Sequence, residues 1–266
     1  MNLHYDSSAP WHSVETTEPN GLPELAVRPG VTFPYWSVVR SPAVRQALLA
    51  MIASDNLLSR WGGCAADADR TRVALLQLYA ESGRAPDAGA IARRAGLSEA
   101  AVRARLGDLR DHDLVVLDGE RVVGAYPFTD RDTGHRVSLG EAAVNAMCAV
   151  DALGIGGMTG QDTLIESRCR HCAAPIRIAT SERGRALGAV NPPTAVMWQS
   201  VRYESACAAS SLCTATAFFC SDDHLAAWRE QQTAAETGYR LSLEEGLEAG
   251  RAIFEPSLAG LAAQTG

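Results

Sequence analysis

The sequence lacks any apolar run approaching the ~18–20 residues of a membrane span. It also has no basic excess, since the net charge is −7. Phosphate contacts need clustered Lys and Arg, so this balance excludes a nucleic-acid binder of the usual kind. The N-terminus carries His4, Asp6, His12 and Glu15 and no apolar stretch of the secretory type, which points to a cytoplasmic address with no membrane partner. Internal repeats are absent, as is a second C-x-x-C. Seven cysteines, an odd number, argue against a disulfide framework in a reducing compartment. What remains is an ordinary globular composition, 47% hydrophobic and 21% charged, long enough for one good-sized core or two small domains sharing an interface.

Periodicity divides the chain into three parts. Residues 1–30 are Ser-, Thr-, Pro- and Gly-bearing with little pattern and read as a loose arm. Residues 31–128 read as a helical, winged-helix-like domain. A helix is expected over Pro42–Ser59, with Val44, Leu48, Met51 and Ile52 on one stripe. A second is expected over Arg70–Ser82, with Val73, Leu76 and Ala80 inward, and Gly62 and Gly63 separate the two. Then come a helix with Ile91 and Ala95, a break at Gly96, and a helix capped by Ser98 that carries Val102, Leu106 and Leu109. Two β-branched runs flank Asp118-Gly119, a strong hairpin signal. Helix–turn–helix plus hairpin is the winged-helix order. Between Arg84 and Tyr126, however, seven arginines are balanced by seven acids, so the module has no basic face and a structural role fits better than DNA reading.

Residues 129–266 read as an α+β domain with a mixed, mostly antiparallel sheet and flanking helices. After the polar linker 129–137, SLGEAAVNAMCAVDALGIGG suggests a helix opened by a capping box of Ser138 with Glu141 and ended by Gly154, Gly156 and Gly157. Strands are expected at 163–167, 175–180, 195–203 and 213–220. Ser221 caps a helix with Leu225 and Trp228, and Ser242 with Glu245 opens a last helix carrying Leu247, Ile253 and Phe254.

Six of the seven cysteines fall between positions 148 and 220. Any single free thiol is a good buried hydrophobe, but the clustering favours ligands or nucleophiles among them. On a helix begun at Ser138, Val144, Met147, Cys148 and Asp151 share the apolar face. A desolvated carboxyl there has a raised pKa, can hold a proton near neutrality and can release it to a developing carbanion. Cys148 lies within one turn of it. The bland alternative has Asp151 bonded to a backbone amide and Cys148 merely packed, because C-x-x-D is a short motif. Read as a strand, CTATAFFC puts Cys213, Ala215, Ala217 and Phe219 on one face, and the small alanines alongside Cys213 leave room for a bulky ligand. Two thiolates outcompete most oxygen or nitrogen donors for a soft metal. Cys169 and Cys172 form a C-x-x-C knuckle, half of a zinc-ribbon site. Without a second C-x-x-C, accessory or structural thiols come first for this pair, zinc second and direct catalysis last.

The stretch HRVSLGEAAVNAMCAVDALGIGGMTGQDTLIESRC (135–169) resembles the core of the organomercurial (alkylmercury) lyases. CTATAFF and the following helix with Trp228 are similar to that family's second catalytic-cysteine strand. LVVLDGERVVGAYPF resembles the end of its N-terminal domain, so the likeness covers roughly residues 85–255. It implies that Cys148 and Cys213 hold mercury, that Asp151 donates the proton, and that Cys169 is a further, structural cysteine. The implied activity is protonolysis of a carbon–mercury bond in organomercurial detoxification. No organic cofactor is implied, Hg(II) is the bound product, and small thiols and a mercuric reductase are the partners. Met147 stands where family members carry an aromatic residue, Cys172 extends the Cys169 position into C-x-x-C, and Thr214 follows Cys213 where some members have a second cysteine. These departures bear on substrate range more than on reaction type. The alternatives are a winged-helix, thiol-based metal-responsive regulator and a soft-metal or zinc-binding protein on the same fold.

Overall fold

Short strands and helices contribute about equally to the chain's second half. The computed structural model describes residues 21–28, 31–53, 57–62, 64–204, 206–232 and 236–259. Leu25–Arg28 (β1) pairs antiparallel with Val31–Phe33 (β2), so the arm expected over 1–30 contains a strand. Residues 1–20 and 29–30 of that arm, positions 54–56 of the first predicted helix, Gly63 and the last positions, 260–266, lie outside the described residues.

Five helices follow: Pro42–Ala53 (α1), Leu57–Trp61 (α2), Ala66–Ser82 (α3), Ala88–Ala95 (α4) and Glu99–Asp111 (α5). Helix α1 buries Val44, Leu48, Met51 and Ile52, the stripe its spacing predicts. The inward face of α3 is rotated from the expected one: Leu75, Leu76 and Tyr79 are buried, while Val73 and Ala80 are half-buried. Tyr79 sets that rotation. Its ring stacks on Phe128 at 5.2 Å and its hydroxyl donates to Asp130 at 2.6 Å. Asp87 and Ser98 cap α4 and α5, and Gly96 between them adopts φ 66°.

Val115–Asp118 (β3) and Arg121–Ala125 (β4) form the predicted hairpin about Gly119. They do not stand apart. β4 pairs with Phe128–Thr129 (β5), and that strand pairs with Ala142–Ala146 (β7) beside Arg136–Leu139 (β6). The elements that complete the chain are Ala149–Thr159 (α6), Thr163–Arg168 (β8), Pro175–Ser181 (β9), Ala186–Asn191 (β10), Val196–Ser200 (β11), Leu212–Ala215 (α7), Ala217–Phe219 (β12), Asp222–Glu230 (α8), Gly238–Ser242 (β13) and Leu243–Leu258 (α9). One eight-stranded sheet runs β10-β9-β8-β6-β7-β5-β4-β3, and a three-stranded sheet runs β12-β11-β13. Every strand pair among the described residues is antiparallel. The architecture is α+β, as the sequence predicts.

Two expectations around the site are overturned. The helix expected from Ser138 is a hairpin: β6 and β7 pair Leu139 with Ala142 across a two-residue turn whose first residue, Gly140, takes φ 54°. Glycine in that place suits a tight hairpin turn, and Val137, Leu139, Val144 and Ala146 alternate inward on the two strands. Period 2 therefore wins over the capping-box reading of Ser138 and Glu141. The glycines expected to end the helix instead lie inside α6, which stops at Gly160 (φ 67°). They are packing residues. A Cβ on Gly154 would meet the Gly250 carbonyl oxygen at 2.7 Å, and one on Gly250 would meet the Gly154 nitrogen at 2.7 Å. Helices α6 and α9 thus cross at a glycine–glycine contact, and α6 is buried from Ala149 to Met158.

Candidate active site

The hairpin delivers the chain to Cys148, whose extended backbone (φ −155°, ψ −175°) makes it the N-cap of α6. Asp151 falls in the first turn of that helix. The two side chains are therefore neighbours because of helix-start geometry, not because they share a mid-helix face. The Cys148 thiol donates to Asp151 Oδ2 at 2.8 Å. A negative charge is favoured at a helix N-terminus, which partly offsets the cost of burying this carboxyl.

Cys213 comes from 62 residues further along and sits in the one-turn helix α7. The strand expected over 213–220 is confined to β12. Hydroxyls explain the difference: Thr214 Oγ1 donates to the Ser211 carbonyl at 2.6 Å, and Thr216 Oγ1 donates to the Leu212 carbonyl at 3.0 Å. These local bonds hold a turn against the β-propensity of the run. The Cys213 thiol reaches the same Asp151 Oδ2 at 3.8 Å. All three ligand atoms lie within 4.8 Å of one another. Relative exposures are 1% for Cys148, 2% for Asp151 and 8% for Cys213, so Cys213 is the outermost of an enclosed group.

Burial dominates the electrostatics here. It pushes the Asp151 carboxyl up to about 7, against the lowering effect of the Cys148 and Cys213 thiols and the Cys148 backbone N–H. Burial likewise raises Cys148 to about 11, with the Asp151 charge adding to it and the Cys213 thiol opposing it. Cys213 is driven well above the usual thiol range, first by its hydrogen bond with Cys148 and then by burial. At neutral pH the group holds two neutral thiols and a carboxyl poised to gain or lose a proton.

Asp113, which the sequence reading counts only as an acid balancing arginines, positions this group. It is buried at the end of α5 and accepts from Tyr126 Oη (3.0 Å), Tyr203 Oη (2.8 Å) and Ala208 N (2.9 Å). Tyr126 Oη in turn accepts from Ala209 N at 2.8 Å. The loop leading into Cys213 is thereby tied to the helical half of the chain. Only a three-dimensional contact between residues some 95 apart reveals this.

Cys169 and Cys172 do not join the trio. They lie with Cys220 and His224 in a second group, also within 4.8 Å of one another. Burial opposes the Cys169 thiolate, yet the backbone N–H groups of Cys172, Cys220 and His171 outweigh it and hold the group at about 6. Cys220 and His224 are not among the residues the sequence singles out. Their four-residue spacing across the capped start of α8 was the available signal.

Fold and site together define a class: an antiparallel α+β protein with a buried dithiol–carboxyl centre suited to a soft metal. Residues 128–255, just under half of the chain, match the family model described as MerB: Alkylmercury lyase. The resemblance to organomercurial lyases holds across that span, which contains Cys148, Asp151 and Cys213, while residues 85–127 fall outside it. Among solved structures, the chain is similar to the one titled "Crystal structure of the mercury-bound form of MerB2", with 22% identity and a TM-score of 0.61, covering 71% of this chain and 91% of that one. At that identity the likeness is one of fold. Among curated proteins nothing matches. No helix among the described residues is long and apolar enough to cross a membrane.

Proposed function

We propose that the chain is an organomercurial lyase that cleaves carbon–mercury bonds by protonolysis, with Cys148, Asp151 and Cys213 as the catalytic residues. The observation that carries this reading is one carboxyl oxygen, on a group poised near pH 7, facing two buried thiols. Cys213, the most exposed of the three, exchanges first with R–Hg–X: its sulfur bonds mercury and HX departs. Cys148 then adds to mercury while its thiol proton passes to the Asp151 carboxylate over the existing 2.8 Å bond. Two thiolates on mercury push electron density onto carbon. Asp151 delivers the same proton to that carbon, the C–Hg electron pair becomes the new C–H bond, and R–H leaves. Hg(II) stays bridged by two sulfurs until two small external thiols exchange it away and reprotonate the cysteines. No electrons are gained or lost, so no redox or organic cofactor is needed.

In this reading residues 31–128 support the site and residues 129–266 carry it. The cell compartment is the cytoplasm, and a mercuric reductase receives the product. The rival reading, a DNA-binding metal sensor, finds little support in α5. Arg103 faces Glu99 and Glu120, Arg105 faces Asp108, and Arg110 faces Asp111.

The deciding measurement is hydrocarbon release from methylmercury or phenylmercury in excess thiol, comparing the natural chain with Asp151→Ala. Methane or benzene from the natural chain, with mercury retained but hydrocarbon nearly absent in the variant, is the expected result. Bound mercury and no hydrocarbon from either chain would make this a metal binder or sensor instead.

A further inference from the structure

Cys169, Cys172, Cys220 and His224 take no part in the proposed chemistry, yet the fold collects them from two distant segments. Cys169 and Cys172 occupy the turn between β8 and β9. That turn is tightly built: Cys169 N donates to the Ala174 carbonyl and Ala173 N to the Cys169 carbonyl, each at 2.8 Å, with Ala173 at φ 61°. Cys220 directly follows β12. Ser221 caps α8 by accepting from His224 N at 3.3 Å, which sets the imidazole in the first turn of that helix.

We infer that these four side chains form a structural zinc site of the Cys3His type. Three sulfurs and one imidazole nitrogen are the donors such a site uses, and four protein ligands leave no open position for catalysis. A tetrahedral zinc with Zn–S near 2.3 Å and Zn–N near 2.0 Å separates two sulfurs by about 3.8 Å and a sulfur from a nitrogen by about 3.5 Å. The Cys172 and Cys220 sulfurs are 3.8 Å apart, and the Cys169 sulfur is 3.7 Å from His224 Nδ1. The Cys220 sulfur lies 2.8 Å from His224 Nδ1, a hydrogen bond that bonds to a shared metal would replace.

The site would clamp the eight-stranded sheet to the three-stranded one. Arg170, inside the knuckle, donates its backbone N–H to the Phe218 carbonyl and its guanidinium to the Thr214 carbonyl, both at 2.9 Å. Thr214 adjoins Cys213, so a metal in the knuckle would buttress the turn that presents Cys213. This inference does not depend on the lyase reading.

The test is metal content of the full chain expressed with added zinc, measured by elemental analysis on the natural protein and on three variants. About one zinc per chain is expected in the natural protein and in the Cys148→Ser/Cys213→Ser double variant, with loss of that zinc in Cys220→Ser and in His224→Ala. Should those last two variants not fold, the natural chain stripped by chelator and titrated with Co(II) provides the second measurement. It should develop thiolate-to-cobalt charge transfer and tetrahedral ligand-field bands, in the double variant as well. Zinc retained by Cys220→Ser and His224→Ala would overturn the inference, as would zinc lost only with Cys148 and Cys213. So would a natural chain that binds neither metal, or one carrying a Cys172–Cys220 disulfide by mass spectrometry.

Discussion

Replacing Asp151 by Asn should make the protein more stable in alkali while abolishing turnover. The carboxyl is held at about 7 by burial, against 3.8 for a free aspartate. The native state therefore binds this proton more tightly than the unfolded chain does. Its contribution to stability is whole below about pH 4 and is lost as the pH rises through about 7. At roughly 1.4 kcal/mol per unit, the cost reaches roughly 1–2 kcal/mol at pH 5 and roughly 4 kcal/mol at pH 8.5. Asparagine carries no such cost. Its carbonyl can still accept from Cys148, and its amide donors, unpaired in this setting, cost about 1–3 kcal/mol at every pH. Urea unfolding across pH 5 to 8.5 should thus show the variant gaining roughly 3 kcal/mol on the natural chain over that range. His135, lowered to about 4 by burial, titrates in both chains and cancels in the comparison. Cys148 ionises above the window. A difference between the chains that stays constant across the window would refute a raised Asp151 and, with it, the proton store on which the proposed chemistry rests.

Cys148→Ser and Cys213→Ser should each abolish hydrocarbon release, because one sulfur alone cannot activate the carbon–mercury bond; a rate like the natural one in either would remove that residue from the mechanism. Gly250→Ala should lower the thermal midpoint by several degrees, since its Cβ would sit 2.7 Å from the Gly154 nitrogen and 2.8 Å from the Val150 carbonyl, both backbone atoms that cannot rotate away. Overpacking of this kind costs about 1–3 kcal/mol, and calorimetry showing no shift would mean that the α6–α9 crossing is looser than described.

Where one local pattern had no local competitor, the sequence made the structure legible. The capping box of Ser242 and Glu245, the Ser221 cap, the Gly119 hairpin and the strands at 163–168 and 175–181 all follow from patterns within a few residues. Cys148 and Asp151 also belong to this set. Three residues apart, they meet whether they stand mid-helix or at its start, so their pairing does not depend on the structure of the segment before them. In that segment Ser138 and Glu141 satisfy a capping pattern as well as a hairpin, and the pairing of β6 with β8 on its other side decides between the two. Glycines 154, 156 and 157 look like helix stops until a second helix and a turn are brought against them. What the sequence alone determined is the local pairing of the Cys148 thiol with the Asp151 carboxyl. Tertiary structure decided which thiols share a centre. Cys213 joins Cys148 through a loop pinned to Asp113, and Cys220 and His224 join the Cys169 knuckle across β12. Such contacts close long loops, and their energy comes from packing spread over many residues, so no short stretch of sequence records them.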